Sequence, residues 1–225
     1  MRKYILLTAF ITCSLFTFAQ IPVRDEPRHH NVFENEFIRI LDVHLGPGDT
    51  TLYHLHNTPS VFLTLANVKV GSQLTGQQPQ KGANISGLVM YDAIETPRIH
   101  RVWNDDTSWF HVMDIELIAG QPKNNVALID ANDLKLNNDE LKTLFNEKLV
   151  TGYKMRFSKG QTMKLPSSRS GYLLVSTGEA FVVITLNGTI QHRNMKAGHY
   201  VWFDGKETTT ITSSAIADYI LLQLK

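Results

Sequence analysis

The sequence predicts an all-β protein made of two consecutive β-barrels joined by a short connecting helix. Three observations lead to this fold class. Most of the chain consists of short segments rich in β-branched and aromatic residues, helical periodicity is scarce, and the sequence repeats itself weakly at an offset of 112 residues. Two copies of one β unit are the economical explanation of the repeat.

The strands are predicted from composition and from the turns between them. Clusters of Gly, Pro, Asn and Asp separate the apolar segments, and turn dipeptides stand at Pro47-Gly48, Asn187-Gly188 and Asp204-Gly205. The clearest predicted strands are 37–45, 61–66, 109–117, 172–175 and 180–185. Their spacing fits an all-β sandwich or barrel.

The connecting helix is predicted from about Asn138 to Asn146. Polar residues open it, and Leu141, Leu144 and Phe145 follow at the i, i+3 and i+4 spacing of an amphipathic helix. We therefore expect a short connector near the middle of the chain.

The repeat aligns the segments on either side of this connector. It matches Phe33 with Phe145, Phe37-Ile38 with Leu149-Val150, Gly48 with Gly160, and Val61-Phe62 with Leu173-Leu174. The expected domains are a first barrel at 20–134 and a second at 135–225.

Residues 1–19 predict a secretory signal peptide. Two basic residues precede a mostly apolar, acid-free run that ends at Ala19, and this run is short for a membrane span. Cleavage before Gln20 would leave a periplasmic or secreted protein without a stable membrane anchor. A lipid anchor at Cys13 is the weaker alternative.

Charge and cysteine content exclude several partners and ligands. The chain has 22 basic and 21 acidic residues, so nothing favours binding to nucleic acid or to a membrane surface. Cleavage of the signal would remove the only cysteine, leaving no disulfide and no thiolate ligand. Any metal would be held by nitrogen and oxygen ligands.

Two histidines on one predicted strand are the main functional signal. His54 and His56 are two residues apart, so their side chains point to the same face of the strand. Such a pair alone is more often a pair of surface or core histidines. The neighbouring residues favour a metal site. Five residues separate Gly48 from His54, and His100 and Asn104 follow further along the chain.

This pattern is similar to the two motifs of the cupin superfamily, and the resemblance covers both copies of the repeat. The first cupin motif places a glutamate and a closing glycine after the His-x-His pair, and here Ser60 and Asn67 occupy those places. In the second motif Glu95 and Pro97 replace the usual proline and glycine. The histidine and the asparagine of that motif match.

The resemblance implies that His54, His56 and His100 bind one divalent metal ion, without a carboxylate ligand. Imidazole ligands do not select the metal, so Fe, Mn, Ni and Zn stay open. Such a centre leaves coordination positions for water, dioxygen or a substrate. Cupins with three histidines resemble the thiol and diketone dioxygenases, which use iron.

The second copy lacks these ligands, because Pro166 and Ser168 stand where the histidine pair stands and residues 207–210 cover the place of His100. We expect a metal-free cupin barrel there. His192 and His199 are interpreted as ordinary surface or strand-edge residues.

Two further residues are candidate catalytic residues of the first barrel. Arg98 could anchor a substrate carboxylate, although an ion pair with Asp92 or Glu95 is at least as plausible. Ser60 could hydrogen-bond a metal-bound water or a substrate, and simple packing is the alternative.

The remaining histidines are expected to be structural. We interpret His29 and His30 as part of an exposed N-terminal arm. His44 and His111 lie within apolar strands, where neutral, hydrogen-bonded histidines are commoner than ligands.

Two function classes follow. The leading hypothesis is a metal-dependent enzyme acting on a small organic molecule, most simply a dioxygenase-type oxidoreductase, with an isomerase or lyase as the next choice. The alternative is a non-catalytic periplasmic cupin that binds a metal or a small ligand. A homodimer is compatible with either, since cupins commonly pair through their sheets.

Overall fold

The computed structural model describes residues 20–119, 128–129, 131–134, 136, 140–168, 170–186 and 188–225. The predicted signal peptide, with Cys13, lies outside the described residues. Strands dominate the rest of the chain, which confirms the all-β prediction. None of the helices among the described residues is long and apolar enough to cross a membrane.

Short strands follow one another along the described part of the chain, with brief helical turns between some of them. In chain order the elements are β1 (Ile21–Pro22), a 3-10 helix (Val23–Asp25), β2 (His29–Glu34), β3 (Ile38–Leu45), β4 (His54–His56), β5 (Ser60–Thr64), β6 (Val68–Leu74), β7 (Gln80–Asn84), β8 (Val89–Asp92), β9 (Arg98–Asn104), β10 (Phe110–Leu117), α1 (Ala131–Leu134), β11 (Leu141–Asn146), β12 (Val150–Phe157), β13 (Thr162–Leu165), β14 (Tyr172–Ser176), β15 (Ala180–Leu186), β16 (Thr189–Met195), β17 (Tyr200–Phe203), β18 (Thr209–Ser213) and β19 (Ala217–Leu224).

The strands form four sheets, two in each half of the chain. The first half has the orders β1-β4-β9-β6-β7 and β2-β3-β10-β5-β8. The second half has β13-β18-β15-β16 and β11-β12-β19-β14-β17. Apart from the extra β1, each strand of the second half occupies the place of its counterpart, so the fold repeats as the sequence predicts. The domain division after residue 134 stays a prediction.

The predicted connecting helix at 138–146 is wrong. Residues 141–146 form strand β11, which pairs antiparallel with β12, while residues 138 and 139 lie outside the described part. The register shifts between Thr143 and Phe145, as in a β-bulge. A bulge interrupts the two-residue alternation of a strand, so the apolar residues fall at a spacing that imitates a helix.

The same irregularity occurs in the first half, where the register of β2 against β3 shifts between Asn31 and Phe33. The aligned phenylalanines therefore follow equivalent bulges. In the second half, the ring of Phe145 packs on the backbone of Gly152, where a Cβ atom would overlap it. The sequence repeat thus reflects repeated strand geometry.

A shared apolar cluster joins the two halves, and we call it the seam. Residues of β3 alternate between two environments, because Ile38 and Ile40 pack in the seam while Val43 and Leu45 face the interior of the first barrel. The second half contributes Val150, Leu173, Val175, Ile220, Leu222 and Leu224 to the seam. A separate, larger cluster fills the interior of the second barrel.

Candidate metal centre

Strand pairing brings the three predicted ligands together. In the antiparallel pair β4–β9, His54 lies directly opposite His100, and His56 lies opposite Arg98. His54 and His56 are buried, and His100 is half-buried. The three rings therefore share the inner face of one sheet, but among the described residues the nitrogens that lie within 4.8 Å of one another are those of His29, His54 and His56, and His100 is not part of that group.

The three imidazoles are in mutual contact. Their ring centroids are 4.9 Å apart for His54 and His56, 4.7 Å for His54 and His100, and 4.9 Å for His56 and His100. The Nε2 atoms of His54 and His56 are 3.1 Å apart. Two nitrogens that each lie about 2.1 Å from one zinc ion can be about that far apart.

His29 joins this cluster, so its interpretation as part of an exposed arm is wrong. Its ring centroid lies 4.6 Å from that of His54, and the side chain is buried. His29, His54 and His56 each offer a nitrogen within 4.8 Å of the others. The neighbouring His30 is exposed, as expected.

Glu26 explains why His29 is held inside. Its buried carboxylate accepts a hydrogen bond of 2.6 Å from Nδ1 of His29. It also accepts the backbone N–H groups of Arg28 and Leu52, at 2.8 and 3.0 Å. The N-terminal segment is thereby fixed against the barrel, with Nε2 of His29 left free of this bond.

Burial keeps the predicted ligands neutral. Desolvation, reinforced by charged neighbours, lowers the pKa of His54 to about 4, of His56 to about 2 and of His100 to about 3. At neutral pH each imidazole therefore has one nitrogen with a free lone pair. A metal ion would not have to displace a proton from these rings.

Asp114 is a buried acid that the sequence pattern did not single out. It lies on β10, and its Oδ2 is 3.6 Å from Nδ1 of His56. Desolvation, with repulsion from Glu116, raises the pKa of Asp114 to about 8. The available signal was an acid in the middle of an otherwise apolar strand.

The unsatisfied atoms fit a metal ion. Nδ1 of His54 donates to the carbonyl of Leu52 at 2.8 Å, so its Nε2 presents a lone pair towards His56. Nδ1 of His56 is buried without a hydrogen-bond partner among the described residues, and the buried Asp114 carboxylate beside it has the Ser60 hydroxyl as a polar neighbour. If Nε2 of His56 bound a cation, the proton of this ring would sit on Nδ1, which faces Asp114. An ionised Asp114 could then accept a hydrogen bond from Nδ1–H, an arrangement that is common in metal centres.

The histidines lie at one side of a pocket of about 280 Å³. Its wall is mainly apolar and includes Val43, Phe62, Val70, Met90, Val102, Phe110 and Val112. Arg98 also lines it, and its guanidinium forms an ion pair with Asp92, which is the alternative considered from the sequence. The pocket therefore combines an apolar body with one cationic side chain.

Two other motif residues have structural roles. The hydroxyl of Ser60 donates to the carbonyl of Thr58 at 3.1 Å, and Ser60 does not line the pocket. The side chain of Asn104 donates to the carbonyls of Leu45, Gly46 and Ser108 and so fixes the turns beside β9.

The second barrel is built differently. Strand β13 ends at Leu165, directly before Pro166. The apolar core of the second barrel includes Met163, Leu165, Tyr172 and Ile211. Both groups of three ligand-type side chains found among the described residues lie in the first half.

Comparisons with known proteins identify the fold. No protein-family model matches the sequence, and no curated protein is similar enough to count as a relative. YhhW from Escherichia coli matches with a TM-score of 0.57 and 13% identity over 89% of each chain. A cupin 2 conserved barrel domain protein from Leptotrichia buccalis matches with a TM-score of 0.53 and 12% identity over 87% of this chain and 88% of that one.

A salicylate 1,2-dioxygenase variant from Pseudoaminobacter salicylatoxidans, in complex with gentisate, is also similar. Its TM-score is 0.60 at 9% identity, over 91% of this chain and 76% of that one. Such similarity shows the fold alone, and the fold is a pair of cupin-type barrels.

We expect the Asp114→Asn substitution to remove a pH dependence of the metal-free protein. An acid with a raised pKa stabilises the folded state while it is protonated, and this contribution is lost as the pH rises towards about 8. The lowered pKa values of the histidines act in the opposite direction, but their effect ends near the unfolded value of 6.5.

Urea unfolding with a chelator, between pH 6.5 and 8, measures this effect. Asp114 should lower the free energy of unfolding by at most about 1.4 kcal/mol per pH unit, and the asparagine variant should lack that slope. Asp204→Asn, at an exposed carboxylate, is the matched control. Equal slopes in all three proteins would contradict the assignment.

Proposed function

We propose that this protein is a metal-dependent cupin enzyme, a dioxygenase-type oxidoreductase acting on a small organic molecule. One divalent ion is held by His54, His56 and His100, with His29 beside them. The observation that carries the proposal is the convergence of neutral, buried imidazoles at the wall of a mainly apolar pocket. A divalent iron, when bound, supplies the capacity to activate dioxygen for oxidation of the substrate.

The side chains of this chain would orient the ligands. The carbonyl of Leu52 fixes the ring of His54, and Glu26 fixes that of His29. Asp114 faces His56 and supplies a negative charge once it is ionised. Such outer partners set the orientation of ligand rings and the affinity for the metal.

The pocket suggests the substrate class. Apolar walls exclude water from the body of a bound molecule, and the guanidinium of Arg98, which pairs with Asp92 through Nη1, has further N–H groups for a substrate carboxylate. The similar salicylate 1,2-dioxygenase has been crystallised with gentisate, a small aromatic acid. We therefore propose a small, planar, mainly apolar carboxylate as the substrate.

We also propose that the protein is exported and that residues 1–19 are removed. The apolar, acid-free N-terminal run with two preceding basic residues supports this.

Elemental analysis tests the metal centre directly. After dialysis against a weak chelator, purified protein should retain one tightly bound divalent metal per chain, and His54→Ala or His100→Ala should release that metal, because each removes an imidazole of the centre. His192→Ala, at an exposed histidine of the second barrel, should leave the content unchanged. Unchanged metal in both site variants would refute the centre.

Oxygen uptake distinguishes the two function classes. The iron-loaded protein should consume dioxygen when gentisate or a related aromatic acid is added. Bound metal without turnover of any such acid would favour the non-catalytic, ligand-binding alternative.

The adjacent histidines 29 and 30 provide a matched pair for the N-terminal segment. His29→Ala should weaken metal binding by between about 10- and 100-fold, since a nitrogen beside the centre and its Glu26 support are lost. His30→Ala should have no effect, because His30 is exposed. Competition titration with a chromophoric chelator measures both affinities, and equal values would exclude His29 from the centre.

The role of Arg98 is tested against Arg101 on the same strand. Arg98→Gln should raise the KM for a carboxylate substrate at least about 10-fold, with a smaller change in kcat, because ground-state binding is lost. Arg101 packs over Tyr53 and Trp103 and does not line the pocket, so Arg101→Gln should change KM little. An unchanged KM in Arg98→Gln would place the substrate carboxylate elsewhere.

A further inference from the structure

A second group of ligand-type side chains lies outside the pocket, on the other face of the β3–β10 pair. Nε2 of His111 is 2.8 Å from one oxygen of Asp42, and Nε2 of His44 is 3.0 Å from the other. The two imidazole rings are stacked, with centroids 4.0 Å apart. All three side chains offer a ligand atom within 4.8 Å of the others.

Strand geometry produces this group. His44 and His111 are directly opposite in the antiparallel register, and Asp42 is two residues from His44 on the same face of β3. On the same face of β3, Ile38 and Ile40 pack in the seam. Asp42, His44 and His111 are only partly buried, so they lie at the edge of the seam that is open to solvent. Both histidines are hydrogen-bonded to Asp42, as the sequence-based interpretation expects.

The second barrel fixes one of the rings. Gly198 precedes β17 and has a φ of +83°, and a Cβ atom at that position would lie 2.7 Å from Cε1 of His111. Because this glycine has no side chain, the ring of His111 packs directly on the backbone of the second half. The group therefore connects both barrels at the edge of the seam.

The charges suit a cation. Burial disfavours ionisation of Asp42, but the hydrogen bonds from His111 and His44 outweigh it and hold its pKa well below the usual range. The side chains are partly exposed, at 28% for Asp42, 41% for His44 and 16% for His111, so a hydrated ion can reach them. Two imidazole nitrogens and a carboxylate are suitable ligands for Zn²⁺, Cu²⁺ and related ions.

We propose that Asp42, His44 and His111 bind a second divalent transition-metal ion, which holds the edge of the seam between the two barrels. The site is independent of the pocket and of the proposed catalysis. Both Nε2 atoms already point at one carboxylate, so the ion replaces shared protons without a change of strand register. Its open side leaves room for water ligands.

Calorimetric titration with Zn²⁺ tests the site in a background without the pocket centre. The His54→Ala/His100→Ala variant should still bind one equivalent of Zn²⁺ at micromolar concentration. Adding Asp42→Asn, which preserves the shape of the side chain, or His111→Ala should abolish this equivalent. Adding His192→Ala instead should leave it intact, and circular dichroism verifies that each variant is folded.

Thermal unfolding provides a second test, because an ion pair among these three side chains without a metal site would not make Tm depend on Zn²⁺. Zn²⁺ should raise the Tm of the His54→Ala/His100→Ala variant and should not raise it after Asp42→Asn is added. The absence of a residual equivalent would overturn the proposal. Residual binding that survives both Asp42→Asn and His111→Ala would overturn it as well, because the ion would then lie elsewhere.

Discussion

The antiparallel pairing of β4 with β9 is the constraint on which the first barrel depends. It places His54 opposite His100 and, by strand alternation, turns His56 to the same interior. Nδ1 of His54 donates to Leu52, so in the metal-free protein the 3.1 Å contact is a hydrogen bond from Nε2–H of His56 to Nε2 of His54. The surrounding structure holds the histidine rings there, through Leu52, Glu26 and the buried Asp114. Such preorganisation of polar groups is typical of a functional site.

The two barrels differ in what fills their interiors: the second is packed with apolar side chains, and the first contains the pocket. The interior of the second barrel is filled by an apolar cluster, and the seam adds a second apolar core that both halves share. The interior of the first barrel gives up apolar packing to polar groups, which costs stability unless a ligand satisfies them. A duplicated fold can therefore hold a pocket with buried polar groups in one copy because the other copy has a fully packed apolar interior.

The repeat at an offset of 112 residues predicted two similar halves, and strand alternation together with the resemblance to the cupin motifs predicted that His54, His56 and His100 lie together. Two errors have physical causes. The bulge in β11 displaced Leu144 and Phe145 from simple alternation, and a displaced strand imitates helical spacing. His29 enters the centre through Glu26 and tertiary packing, which no local spacing records.

Asp114 shows the same limit. Its neighbour His56 is distant in sequence, so the sequence alone could not show that this acid faces a ligand rather than the core. The group of Asp42, His44 and His111 likewise needs both the β3–β10 register and the contact with Gly198. Residues whose spacing matches a motif, such as His54 and His100, were predictable even across strands, and residues that meet only through tertiary packing were not.

X-ray absorption spectroscopy of the protein loaded with one equivalent of Zn²⁺ tests the central claim most directly. The pocket should fill first, because its histidines are already neutral, whereas Asp42 raises the pKa of His44 and favours its protonated form. The account predicts at least three imidazole ligands around the metal. Two or fewer imidazoles, or a shell made of oxygen alone, would contradict a centre built from His54, His56 and His100.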